Sequence, residues 1–382
     1  MDLNETSEDA AFRAECRAWL TANVPQPALP SGDTAEGFAA HREWERRLFD
    51  ARWAVVSWPE EFGGRDASLW QWLIFEEEYY RAGAPQRVTQ NGIFLLAPTL
   101  FEFGTREQQE RILSKMASGE QAWCQGWSEP NAGSDLASLT SRAERDDERG
   151  GWILHGQKTW TTRGAFCDRL FGLFRTDPSA ERHRGLTYLL VDLRAPGVTV
   201  RAVERLDGDE GFAEVFFDGA FVPDADVLGG VGDGWKVAMA TTGSERGLTL
   251  RSPGRFMATA ARLIELAHEL GASDEDVRDR LTRAWIDAQA YRWQTFEVVT
   301  RLTTGAPAGA ESSLVKLFWS ELDVRLHEAA LDLLGPHAEL VDGEHAAWIK
   351  GWQFSLSGPI YAGTNEIQRN VVAERVLGLP RR

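Results

Sequence analysis

Several things are scarce in this chain. Only three of its 382 residues are cysteines (Cys16, Cys124 and Cys167), and none belongs to a CxxC pair. Three thiols cannot form an even disulfide framework, so the sequence points to a reducing cytoplasm. Long apolar runs are missing, since no stretch approaches the roughly 18 residues that a membrane span needs. The opening MDLNETSEDA AFRAECRAWL lacks the basic start and greasy middle of a signal peptide. Positive charge is short too: 41 basic residues against 58 acidic leave a net charge of −17. Such a surface repels phosphate backbones and anionic lipid, which argues against nucleic acid or a membrane as the main partner. A local basic pocket for an anionic ligand stays open. Seven histidines lie scattered without metal-ligand spacing, so no metal is expected. Neither GxGxxG, GxxxxGK nor HExxH occurs. Gly126-Trp127-Ser128-Glu129-Pro130 only approaches GxSxG, because it ends in proline where a nucleophile elbow needs glycine.

What is present is a packed globular composition, 43% hydrophobic and 26% charged. The length suits two or three domains at roughly 100–200 residues each. Tryptophan is unusually common, with 16 copies. Large rings fill cores, and they also stack on flat ligands, so position must decide between the two.

The texture changes twice along the chain. Residues 1–120 have a helical period: Phe12, Cys16, Trp19 and Leu20 share one face. Ser68 with Gln71, and Thr105 with Gln108, read as capping boxes. Trp58-Pro59-Glu60-Glu61-Phe62-Gly63-Gly64 reads as a turn. Residues 121–232 are β in character, with short strands expected at Trp152–His155, Leu186–Asp192, Val198–Val203 and Glu214–Phe217, and a hairpin turn at Asp146–Gly151. Residues 233–382 return to the helical period. Leu281, Trp285, Ala288, Tyr291, Thr295, Val298 and Leu302 form one stripe; Leu314, Leu317, Leu322, Leu326, Ala329 and Leu333 form another. Ser273 is the expected cap of the first of these helices, and Gly305–Gly309 separates the two. The order is therefore an α+β, multidomain one: a helical domain, a barrel-like β domain and a four-helix bundle. An alternating Rossmann chain is disfavoured.

Three polar, glycine-bearing segments interrupt this texture. Gln125–Asp135 offers free N–H groups and hydroxyls at the entrance to the β region. Gly156-Gln157-Lys158-Thr159-Trp160-Thr161-Thr162 places one aromatic and three hydroxyls after a strand. Gly358–Arg369 opens the last helix. Taken singly, each could be an ordinary turn. Together with WPEEFGG, VFFDGAFVPDADVLGG, SERG and YAGTNEIQRNVVAERVLGLP they span nearly the whole chain, which resembles the acyl-CoA dehydrogenase family.

That resemblance implies FAD held between the β domain and the bundle, and oxidation of a saturated thioester to its trans-2-enoyl form. By motif match, Ser128 meets the flavin edge, with Trp127 and Ser134 flanking it and Ser134 nearer the substrate or phosphates. Trp160 lies over the ring, Thr162 bonds near its reactive nitrogen, and Thr364 and Glu366 hold the far side of the cofactor. A flat aromatic for a flat ring, and neutral donors for a ring that becomes negative on reduction, make independent chemical sense. The family's commonest base is a glutamate right after the tyrosine of the YEGT motif; here Tyr361 is followed by Ala362. Some members place the glutamate on an earlier helix, before an arginine, and Ser244-Glu245-Arg246 matches that position. Glu245 is then the base, Arg246 orients it or meets CoA, and the Ala362 N–H still polarises the carbonyl. The competing explanation is that the site is not a dehydrogenase site. A second departure is Leu333-Leu334-Gly335-Pro336-His337, where the family often has a Gly-Gly pair near a neighbouring subunit's pyrophosphate.

The resemblance implies an acyl-CoA or acyl-carrier-protein substrate and an electron-transfer flavoprotein as acceptor. It also implies a homo-oligomer, dimer or tetramer, or a heterotetramer with a paralogue. Losing the glutamate side chain at Ala362 leaves room for a branched, long or ring-bearing acyl group, and the tryptophans of the first domain would add flat walls. Two rival readings remain: an oxygen-using oxidase or monooxygenase on the same fold, and a non-catalytic partner subunit of a heteromeric enzyme.

Overall fold

The computed structural model describes residues 5–246, 252–305, 309–310 and 312–381, the side chains of 244–246 excepted. Helices begin where the sequence supplies caps. Thr6 opens α1 (Ser7–Asn23) with a capping box, and Thr34 caps α2 (Ala35–Asp50). The expected boxes Ser68–Gln71 and Thr105–Gln108 both form, opening α3 (Leu69–Arg81) and α5 (Arg106–Ala117), with α4 (Ala97–Phe103) between them. On α1, Cys16 and Leu20 are fully buried, while Phe12 and Trp19 sit at the margin of that face. The WPEEFGG segment is a single 3₁₀ turn, Glu60–Phe62, stopped by Gly63 at φ 93°. Of the six tryptophans of this region, Trp44, Trp53, Trp58 and Trp72 are buried, while Trp19 and Trp70 are half-buried.

The chain gathers into two compact units, each built from separated stretches. The sheet unit comprises Pro25–Asp66 and Pro85–Glu245; the helical unit comprises Met1–Val24, Ala67–Ala84 and Arg246–Arg382.

In the sheet unit, eight strands form one mixed sheet: β1 (Trp123–Gly126), β2 (Arg142–Asp146), β3 (Gly151–Lys158), β4 (Arg169–Arg175), β5 (Leu186–Asp192), β6 (Val198–Val203), β7 (Phe212–Pro223) and β8 (Val227–Leu228). Their order is β6-β7-β3-β2-β4-β5-β8, with β1 parallel to β4. The expected strands at Leu186–Asp192 and Val198–Val203 form with those bounds, and the other two lie within the longer β3 and β7. The Asp146–Gly151 hairpin forms as well, with Gly150 at φ 66°. Strand β4 escaped the pattern because its sequence, Arg169-Leu170-Phe171-Gly172-Leu173-Phe174-Arg175, has no β-branched residue and a glycine at its centre. The core between these strands is lined by Leu154, Leu170, Phe174, Val191, Val215 and Phe217.

Helix α6 (Gly234–Arg246) closes the sheet unit. The helical unit packs α7 (Pro253–Glu269), α8 (Glu275–Thr303), α9 (Ser312–Leu334) and α10 (Ala346–Ser355) around Phe256, Leu263, Tyr291, Trp319, Leu326 and Trp348. It ends in α11 (Asn365–Val371). Helices α1 and α3 pack into this unit too, α3 against α7. The cap of α8 is Asp274, not Ser273: its carboxylate accepts from the Val277 N–H at 3.0 Å, a charged acceptor at the positive end of a helix. Four residues beyond Thr295 the buried position is Val299 rather than Val298, while Trp285 lies 38% exposed. None of the described helices is long and apolar enough to cross a membrane.

Candidate active site

In the sheet unit, two of the three chemical segments are brought together by hydrogen bonds that begin in the backbone. Strand β1 delivers Trp127 and Ser128, and β3 delivers the segment from Lys158 to Thr162. The Thr159 N–H donates to the Ser128 carbonyl at 2.9 Å. Beneath this contact lies a buried ion pair: the Lys158 ammonium, with no exposed surface, reaches Glu129 Oε1 at 2.8 Å. Glu129 also accepts from the Thr140 N–H at 2.7 Å, the Thr140 hydroxyl at 2.8 Å and the Ser141 N–H at 2.9 Å. Burial pushes the Glu129 carboxyl up, but the Lys158 charge and these donors outweigh it and hold the group down at about 2. Burial in turn lowers the Lys158 ammonium to about 8, against the pull of Glu129.

Trp160 stands at the end of this scaffold. Its φ of 56° is rare for a bulky residue and costs on the order of 1–3 kcal/mol, so it persists only where its surroundings over-determine it. The flanking Thr161 supplies that constraint, exchanging two backbone hydrogen bonds with Ala213 at 3.0 and 2.9 Å. The strained turn turns the indole outward. It is 62% exposed and stands edge-on to Phe212, with ring centroids 5.7 Å apart. Trp127 Nε1 and Thr161 Oγ1 are buried polar atoms with no partner among the described residues. An open aromatic face beside neutral donors fits a flat, hydrogen-bonding ring system. Thr162 and Ser128 are half-buried near the same turn, whereas Ser134 is exposed in the loop beyond it.

The helical unit carries the third segment. Ala362 has φ 57° and Gly363 φ 80°, so the chain reverses sharply before α11. Thr364 caps that helix by accepting from the Ile367 N–H at 3.3 Å. The Tyr361 ring lies 5.9 Å from Trp319. Gln368 Nε2 donates to the carbonyls of Ala362 at 3.0 Å and Gly363 at 3.3 Å. No acceptor among the described residues takes the Ala362 N–H. Glu366 is exposed in the first turn, its carboxyl lowered by its own backbone N–H and by the Thr364 hydroxyl. Glu245 and Arg246 close α6, and their side chains lie outside the described ones.

The sequence-derived site residues thus fall into two groups. Trp127, Ser128, Ser134, Trp160 and Thr162 belong to the sheet unit; Tyr361, Ala362, Thr364 and Glu366 belong to the helical one. The Glu129–Lys158 pair was not singled out from sequence. Its only signal was two opposite charges, each set among small and hydroxyl residues.

A mixed sheet with an open aromatic platform, combined with a helical unit that presents a tight loop, is the architecture of an acyl-CoA-oxidising flavoprotein. Family models agree along the chain: the acyl-CoA dehydrogenase N-terminal domain matches residues 6–120, the middle domain 124–220 and the C-terminal domain 232–377. The chain belongs to the acyl-CoA dehydrogenase family, and it is an oxidoreductase acting on acyl-CoA. It is 43% identical over 380 residues to acyl-CoA dehydrogenase IpdE1 of Mycobacterium tuberculosis, covering 97% of each chain. Among solved structures it resembles the Tcur3481-Tcur3483 steroid ACAD, with TM-score 0.88, 28% identity and full coverage of both chains. It also resembles the ChsE4-ChsE5 complex from Mycobacterium tuberculosis, with TM-score 0.84, 28% identity and full coverage.

Proposed function

We propose that this chain catalyses FAD-dependent α,β-dehydrogenation of a ring-bearing, steroid-derived acyl-CoA to the trans-2-enoyl-CoA, with Glu245 as the base. The observation that carries the proposal is Trp160: a strained, open indole set beside neutral donors suits a flavin ring. FAD, when bound, supplies the acceptor for the β-hydride. Trp127, Ser128, Trp160 and Thr162 hold the ring side of the cofactor, and Thr364 and Glu366 its far side. Ser134, Arg246 and Tyr361 flank the thioester. The Ala362 N–H donates to the thioester carbonyl, which acidifies the α-hydrogen, and Glu245 removes that proton. Electrons then leave to an electron-transfer flavoprotein. The choice of acyl group rests on the steroid enzyme among the structural relatives and on Ala362, whose single methyl leaves room where a glutamate often stands.

The test is an anaerobic absorbance titration of the purified protein with straight-chain, branched and ring-bearing acyl-CoAs. Bleaching by the ring-bearing class is expected. Glu245→Gln should keep the yellow flavin and lose the bleaching; bleaching at the parent rate would remove Glu245 from the mechanism. Rapid reoxidation of substrate-reduced flavin by air would favour an oxygen-using enzyme instead.

A second reading is favoured by Gly335–Glu339. It is a 3₁₀ turn in which Gly335, Pro336 and His337 are all exposed. Proline offers no backbone donor where a pyrophosphate would need one. Two structural relatives carry paired names, the Tcur3481-Tcur3483 steroid ACAD and the ChsE4-ChsE5 complex. In this reading the chain assembles with a paralogue that supplies the missing contact.

A further inference from the structure

The loop that presents Ala362 is held by a buried lysine. Lys316, on α9, has no exposed surface, and its ammonium donates to Asn365 Oδ1 at 2.7 Å. Ser320, one turn further along α9, donates its hydroxyl to the same oxygen at 3.1 Å. Asn365 is itself 4% exposed, and its backbone N–H donates back to the Pro359 carbonyl at 2.8 Å. That last bond closes residues 359–365 into a ring with Ala362 near its tip. Gln368, fully buried on α11, grips the Ala362 and Gly363 carbonyls from the other side. Burying an ammonium is costly, and a neutral residue would fill the same space more cheaply. A charge-assisted hydrogen bond to an amide oxygen is shorter and stronger than a neutral one. Strength matters here because Ala362 has to hold φ 57° in the left-handed region, where alanine is disfavoured.

We infer that Lys316, acting through Asn365, is a positioning residue for the reaction: it fixes the Ala362 N–H where that donor meets the thioester carbonyl. The inference rests on the role given to Ala362 above. Lys316 touches neither substrate nor cofactor; it sets the orientation of a donor that strengthens as charge develops on the carbonyl oxygen. Loss of the tether therefore weakens transition-state stabilisation more than ground-state binding.

The experiment uses the flavin-loaded enzyme and cyclohexylpropenoyl-CoA isotope-labelled at its thioester carbonyl, read by difference infrared spectroscopy alongside steady-state kinetics on the saturated analogue. In the parent enzyme the bound carbonyl band should move to lower frequency. In Lys316→Met that shift should shrink, with kcat down roughly 100-fold and KM changed by less than about threefold. Asn365→Leu should behave like Lys316→Met, whereas Asn365→Asp, made together with Glu321→Gln because the Asn365 amide nitrogen lies 3.4 Å from Glu321 Oε1, keeps the acceptor and should retain the parent's band and rate. If Lys316→Met does not fold, the two Asn365 variants carry the comparison alone. An intact carbonyl shift and unchanged kcat in Asn365→Leu would overturn the positioning role. A parent enzyme with no carbonyl shift would instead overturn the role of Ala362, and this inference with it.

Discussion

Glu129 and Lys158 show how the proposed site can depend on a buried ion pair beneath it. The pair sits under the contact between the Ser128 carbonyl and the Thr159 N–H, and so sets the spacing of the two segments that flank Trp160. Its pH dependence has a definite sign. The Glu129 carboxyl titrates at about 2 in the folded chain against 4.5 for a free glutamate. The stabilisation is therefore complete above pH 4.5 and is lost as pH falls toward 2, up to about 3 kcal/mol in all. Glu129→Gln removes that window and leaves the Lys158 ammonium buried without its carboxylate, at a cost of roughly 3–5 kcal/mol near neutrality. Thermal melts of both proteins from pH 7 down to pH 3 check this. The gap between them should narrow as pH falls, and a gap that stays constant would show that the pair does not titrate in this window.

Among the elements, β1 and β4 carry the site's placement, because β1 runs directly into Trp127. The two strands meet at the register pair Gly126 and Gly172. A Cβ on Gly172 would lie 2.8 Å from the Gly126 carbonyl oxygen, and one on Gly126 would lie 2.5 Å from a Leu170 methyl. The oxygen belongs to the backbone and cannot step aside, so Gly172→Ala forces the strands apart. A loss of about 1–3 kcal/mol is expected from such overpacking. Flavin retention should fall with it, since the β1 exit moves. A denaturant midpoint and the ratio of flavin to protein absorbance measure both effects; an unchanged midpoint would mean that the strands tolerate the methyl. The same elements show what patterning can reveal. Both capping boxes and strands β5 and β6 form where the sequence places them, because hydroxyl–amide pairs and branched runs act between near neighbours. β4 has a central glycine and no β-branched residue, so no such run marks it.

At the scale of the molecule, the two compact units cut across the order of the chain. Helices α1 and α3 belong with the bundle, while α2, α4 and α5 belong with the sheet. The residues proposed to hold FAD are divided between these units, and the Gly335–His337 turn, with a proline at its centre, is exposed. If a paralogue completes the site, the chain purified alone should hold clearly less than one flavin per chain. Co-expression with a paralogue bearing Gly-Gly at this turn should restore full occupancy in a mixed assembly. Full occupancy in an assembly of this chain alone would exclude that requirement. Sequence sufficed for the family and for the α–β–α order of elements, since the first rests on contiguous motifs and the second on local period. Tertiary structure alone revealed the partners of the buried cations. Lys158 finds Glu129 across 29 residues and Lys316 finds Asn365 across 49. A charge can leave water only where folding brings a matching group to it, and no local pattern records which distant residue that is.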